Sequence, residues 1–175
     1  EREFHLSYPF LLEDGDELFM IPEASESRKV SLYRCVDFPG QWEHVTDILD
    51  DLSASDSTVL RRDGKYWLFS NIDRNESGNP NYELHVFWAE SLDGPWIPLQ
   101  DNPVVIDAST ARMAGGFIED RDGGLYRCSQ INGSRYGEGL NFMRVDNLTV
   151  DGYRESRRLS ILPDWGDFAT MHHID

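Results

Sequence analysis

Two carboxylates, an arginine and a set of amides and aromatic hydroxyls stand where they could do chemistry on a polar ligand. Glu23 closes the stretch FMIPE, and Asp56 opens DSTVLRRDGKYWLF. Glycoside hydrolysis needs two carboxyl groups ~5–10 Å apart, one of them with a raised pKa; Glu23 and Asp56 are the candidate catalytic pair. Each has a quieter role open to it. Asp56 could bond the backbone of its own strand start in an Asx-type turn, and Glu23 could be a strand-end surface charge. Arg112 lies in ARMAGG, where small neighbours leave a guanidinium room to reach an anion or a sugar. The alternative for it is an internal salt bridge to Asp56 or Glu23. His5, Tyr8, Gln130, Tyr136 and His173 complete the candidate ligand-binding set. His172 and His173 cannot both face inward, because side chains alternate along a strand. Trp165, in LPDWGD, is the tryptophan to test for stacking on a ligand. No zinc-ligand set, P-loop, dinucleotide fingerprint or Ser-His-Asp order is present, so neither a metal nor another cofactor is expected.

The elements that must position these residues repeat. His5–Glu23 reads as two apolar runs around Asp14-Gly15, a β-hairpin pattern. It returns at Asp56–Asn71 around Asp63-Gly64, and at Arg112–Gln130 around Asp122-Gly123. A third strand follows each hairpin, at Val30–Val36, Glu83–Ala89 and Leu140–Val145, then an aromatic, Trp42, Trp96 or Tyr153, and a fourth short strand. Four antiparallel strands recurring about every 40–60 residues are the pattern of propeller blades. The expected fold is all-β and a single domain, with blades at about 5–52, 56–107 and 111–160 and the start of a further blade at about 165–175. In that arrangement His5–Tyr8, Asp56, Arg112 and His172-His173 begin the innermost strands, and Glu23, Asn71 and Gln130 end the neighbouring ones.

Trp42–Leu52 has room for one helical turn at most, and Arg74–Tyr82 reads as an exposed tip. Trp42 and Trp96, at equivalent positions, are expected to pack between blades. Cys35 and Cys128 are also repeat-equivalent and read as small core residues, not a disulfide. Three blades and a strand cannot close a ring, and open strand edges invite pairing. The expectation is therefore a truncated propeller that is either a homo-oligomer or a fragment of a larger chain.

Composition sets outer bounds. A 39% hydrophobic content with 12% aromatic residues is globular. With 32 acidic against 16 basic residues the net charge is −16, which argues against nucleic acid and anionic membrane surfaces as partners. No apolar run approaches the ~18–20 residues needed to cross a bilayer, and no signal peptide is visible; a cytoplasmic protein is expected, although the sequence starts without a methionine.

The motifs HLSYPF, FMIPEA, LYRCVDFPGQW, DSTVLRRDGKYWLF, LDGPW, ARMAGGF, LYRCSQ and YGEGL, in that order, carry a resemblance. Together they resemble the five-bladed propeller domain of glucosamine inositolphosphorylceramide transferases and their bacterial relatives. That domain is in turn similar to propeller glycosidases of the arabinanase, xylosidase and levansucrase type. The likeness runs from His5 to about His173, without the first blade and with most of the last blade missing. It implies a carbohydrate-active propeller, glycosidase-like or accessory to a glycan transferase, that recognises a sugar or sugar-phosphate in its central pocket. The first blade supplies a catalytic carboxylate in those glycosidases, so enzymatic activity stays open. The competing reading is a non-catalytic glycan-binding or self-assembling fragment.

Overall fold

The computed structural model describes residues 5–164 and 170–174. The first blade is a four-stranded antiparallel sheet in chain order, made of β1 (Ser7–Asp14), β2 (Glu17–Glu23), β3 (Lys29–Asp37) and β4 (Gln41–Asp50). The second holds β5 (Ala54–Arg62), β6 (Lys65–Ile72), β7 (Glu83–Ala89) and β8 (Ile97–Pro98), with β9 (Val105–Ile106) also paired to β7. The third holds β10 (Met113–Glu119), β11 (Leu125–Ile131), β12 (Gly139–Thr149) and β13 (Gly152–Ile161).

The hairpin turns follow from their residues. Asp63 and Gly64 both take positive φ, 52° and 75°, which matches the twist of the flanking strands. The turn between β10 and β11 is longer and is organised by Asp120, whose carboxylate accepts the N–H groups of Asp122 and Gly124 and the hydroxyl of Tyr126.

Alternation along the strands gives every blade two apolar faces, and the blades stack through them. Phe19, Ile21, Val30 and Leu32 of the first blade pack on Val59, Tyr66, Leu68 and Phe87 of the second. The other face of the second blade, with Trp67, Phe69, Leu84 and Val86, packs on Met113, Phe117 and Tyr153 of the third. Phe69 meets Phe117 and Tyr153 edge to face, with ring centroids 4.8 and 5.4 Å apart. Each large side chain buried in this way contributes roughly 1.5–3 kcal/mol. A smaller cluster of Ala114, Cys128, Leu140 and Phe142 on the far face of the third blade is partly covered by Met171 and Ile174.

Three local expectations are corrected, on the fourth strands, Cys35 and Trp42. Trp42–Leu52, with room for one helical turn at most in the place of an outer strand, is taken up by the long outer strand β4 at residues 41–50. Its β-branched and aromatic residues gain more from pairing with β3 than isolated helical spacing could supply. Fourth strands are not uniformly short, since β4 and β13 run ten residues each. Cys128 is buried but Cys35 is only partly covered, because among the described residues no sheet lies against its face of the first blade. For the same reason Trp42 does not sit between blades. It lines a cavity of about 360 Å³ on that face, whereas Trp96 packs into the core between the first two blades. The expected strand Phe168–Asp175 lies partly outside the described residues, as does Trp165. Within 170–174, Ile174 forms a parallel bridge to Gly115.

Candidate functional site

The first strand of every blade breaks register near its start: between Ser7 and Phe10 in β1, between Ser55 and Thr58 in β5, and between Met113 and Phe117 in β10. Such bulges re-aim side chains. Inside them Tyr8, Asp56 and Gly115 take left-handed φ values of 40°, 49° and 121°. For the two non-glycine residues this costs about 1–3 kcal/mol each and survives only where the surroundings hold it. Around Asp56 the holding groups are plain. Its N–H donates to Glu23 Oε2 at 3.0 Å, and its Oδ2 accepts Arg112 Nε at 2.6 Å and Gln130 Nε2 at 3.3 Å. The hydroxyls of Tyr8 and Thr58 meet at 2.8 Å.

Arg112 is bracketed by buried polar groups. Asn71, fully buried at the end of β6, donates to the carbonyl of Ala111 and accepts the N–H of Met113. Arg127, also fully buried, donates to the carbonyls of Thr110 and Ala111 and is neutralised by Glu155 at 2.6 Å. With its backbone held on both sides, the Arg112 guanidinium spans the site. It bonds Asp56, donates Nη1 to Asn81 Oδ1 at 3.0 Å, and brings Nη2 to 4.0 Å from Glu23. Asn132 donates to both Asn81 and Gln130. The Tyr136 ring lies 5.7 Å from the guanidinium carbon and 5.4 Å from the His172 ring.

The electrostatics follow from this packing. Burial pushes the Glu23 carboxyl above its ordinary value, and the nearby negative charge of Asp56 pushes it further. Burial opposes the charge on Arg112, but Asp56 outweighs it and holds the guanidinium above its ordinary value.

Of the sequence-derived candidates, the structure brings Glu23, Asp56, Arg112, Gln130 and Tyr136 together, one or more from each blade. The internal salt bridge foreseen for Arg112 forms, and the Asp56 carboxylate turns to Arg112 and Gln130 and not to its own strand start. Tyr8 and His173 stack edge to face at 5.3 Å. They belong instead to the rim of an apolar groove of about 580 Å³, which runs between β1 and β10 and does not reach Glu23 or Asp56. His5 is exposed ahead of β1. Asn81 and Asn132 escaped the sequence reading. Asn81 ends a loop that looked like a mere exposed tip; Asn132, two residues beyond Gln130, carried the signal of strand alternation. Among the described residues no group of three or more His, Cys, Asp or Glu side chains is placed to hold a metal ion, and no helix is long and apolar enough to cross a membrane.

Face-stacked four-stranded blades around bulged inner strands define a partial β-propeller. Solved structures agree on the fold. The GH43_1 enzyme from Xanthomonas citri complexed with xylose superposes with a TM-score of 0.62 at 14% identity, covering 87% of this chain and 55% of that one. RS223 β-xylosidase gives 0.65 at 17% identity, with 89% and 59% covered.

The chain belongs to the family described as glucosamine inositolphosphorylceramide transferase 1, N-terminal, whose model matches residues 1–162. Curated relatives of that name from Oryza sativa subsp. japonica and Arabidopsis thaliana are 31% and 32% identical over 156 residues, 89% of this chain. The chain spans about a fifth of their length, 21% and 20%.

Proposed function

We propose that the Glu23–Asp56–Arg112 cluster recognises the hydroxyls of a neutral sugar or cyclitol ring, and that this is a carbohydrate-recognition domain of the kind that serves a glycan-transferring enzyme. The observation that carries the reading is the state of Arg112: its charge is matched by Asp56 at 2.6 Å. A phosphate would have to compete with that carboxylate, whereas ring hydroxyls can bond the carboxyls and amides already gathered there. Tyr136, 52% exposed, offers the aromatic wall such sites commonly carry. The relatives' shared name joins an amino sugar to an inositol-phosphate lipid, and both contain polyhydroxylated rings.

Both carboxylates are already engaged, Glu23 by the Asp56 N–H and Asp56 by Arg112 at 2.6 Å, which favours binding over the acid and base roles that hydrolysis needs. A glycan array read alongside aryl-glycoside hydrolysis separates the two. Binding without turnover, weakened in Asp56→Asn, is expected. Turnover that disappears in Glu23→Gln would replace the recognition reading with the glycosidase one.

A further inference from the structure

We infer that, on the reading of this cluster as a ring-binding site, Arg112 and Glu23 clasp one ligand hydroxyl between them. The arginine donates to the hydroxyl oxygen and the Glu23 carboxylate accepts its hydrogen, so a ring binds most tightly with Glu23 ionised. Most polar atoms of the cluster already have partners. Arg112 Nε bonds Asp56 and Nη1 bonds Asn81, but Nη2 makes no hydrogen bond among the described residues and stands 4.0 Å from Glu23 Oε2. Glu23 Oε2 accepts the Asp56 N–H, while Oε1 accepts nothing among those residues. The carboxylate of Asp56 meets Arg112 and Gln130 through Oδ2, which leaves Oδ1 without a hydrogen bond there. None of these three atoms is sealed away, since among the described residues the one fully buried side-chain polar atom lacking a partner is the Ser156 hydroxyl. An open donor therefore stands beside open acceptors, on Arg112, Glu23 and Asp56 side chains only 13%, 15% and 5% exposed.

A hydroxyl fits this gap better than other oxygens. Charge-assisted hydrogen bonds run about 2.7–2.9 Å, so one oxygen reaches both Nη2 and Oε2 across their 4.0 Å separation. A hydroxyl accepts from the guanidinium and donates to the carboxylate. An ether, carbonyl or phosphate oxygen only accepts, and it meets Glu23 lone pair to lone pair. Solvent is displaced without loss only by a group that remakes both bonds. Asn81 sets what stands beside the clasped group. Arginine offers donors alone, so the Asn81 amide turns its oxygen to Nη1, and Asn132 donates to the same oxygen. The Asn81 NH2 is left, among the described residues, for a neighbouring oxygen of the ring. Asp56 of β5, Arg112 ahead of β10 and the Tyr136 hydroxyl are the charged and titratable groups that bear on Glu23. Burial and then the charge of Asp56 hold its carboxyl above the ordinary value, against Arg112, which lowers it. The clasp adds a donor that favours the ionised form, so binding a ring drives a proton off Glu23.

Calorimetric titration of the 175-residue chain with D-glucose, D-galactose, D-mannose and myo-inositol, from about pH 4 to 8, tests this. Monodeoxyfluoro derivatives of each ring follow, because fluorine fills the place of a hydroxyl and cannot donate. Affinity is expected to rise with pH, by up to about tenfold per unit until Glu23 is ionised, with a proton released to the buffer below that point. Fluorine at one ring position is expected to weaken binding about tenfold, the loss of one charge-assisted bond. Glu23→Gln keeps the shape and offers a donor, so it flattens the pH profile, ends the proton release and narrows the fluorine penalty. Circular dichroism at each pH separates unfolding from loss of binding, and the fluorine series and proton release on the parent decide the matter where Glu23→Gln does not fold. A ring held equally at every pH, a pH profile retained in Glu23→Gln, or fluorine tolerated at every position overturns the clasp and leaves the ring-binding reading standing. Failure of all four rings to bind overturns both.

Discussion

At the scale of single residues, the site is a balance among three charged groups, and removing one exposes the others. Arg112→Ala leaves Asp56 buried without its cation. Breaking a buried pair from one side costs about 3–5 kcal/mol, and a denaturant titration should read a loss of that order. Glu23 gives a pH signature. Its folded-state pKa lies above the ordinary carboxyl value of 4.5, so the native state holds its proton more tightly than the unfolded chain does. The stability this supplies is complete below pH 4.5 and is lost as the pH rises through the raised value. Glu23→Gln should flatten that part of the stability profile while leaving acid unfolding by other carboxylates in place. Cys128 is fully buried, and burial pushes its thiol up to about 11. A thiol reagent at pH 8 should therefore label Cys35 quickly and Cys128 only on unfolding.

The elements explain how the residues meet and why only part of the site was readable in advance. Asp-Gly hairpins and their recurrence are local signals, which is why the strands and the inward positions of Glu23, Asp56, Arg112 and Gln130 were legible from the sequence. The bulges were not. A left-handed φ at Tyr8 or Asp56 is imposed by contacts from other blades, and nothing in YPF or SDST marks it. Asn81 and Asn132 were hidden for a similar reason, since their roles depend on loops folding back over the axis. Asn71 shows the dependence most clearly. Its amide bonds the carbonyls of Glu83 and Ala111, and its oxygen accepts the N–H of Met113, joining the second and third blades. Asn71→Ala strands these buried groups at about 1–3 kcal/mol each where water cannot replace the bond. The expected outcome is a loss of several kcal/mol in stability with Arg112 displaced, visible as weakened ligand binding even where the variant is folded.

For the whole molecule, the blade pattern gathers Glu23, Asp56 and Arg112 from three blades into one cluster. Family membership rests on sequence likeness along nearly the whole chain, whereas the likeness to GH43 structures, at 14–17% identity, speaks to the fold. The central claim concerns the ligand. Isothermal titration calorimetry of the protein and of Asp56→Asn, each against neutral monosaccharides, inositol and their phosphate esters, tests it most directly. The account predicts that a neutral ring binds, that its phosphate ester binds no tighter, and that Asp56→Asn weakens binding at least tenfold, about 1.4 kcal/mol. A phosphate ester held more than tenfold tighter than its neutral parent, or binding unchanged in Asp56→Asn, would contradict it.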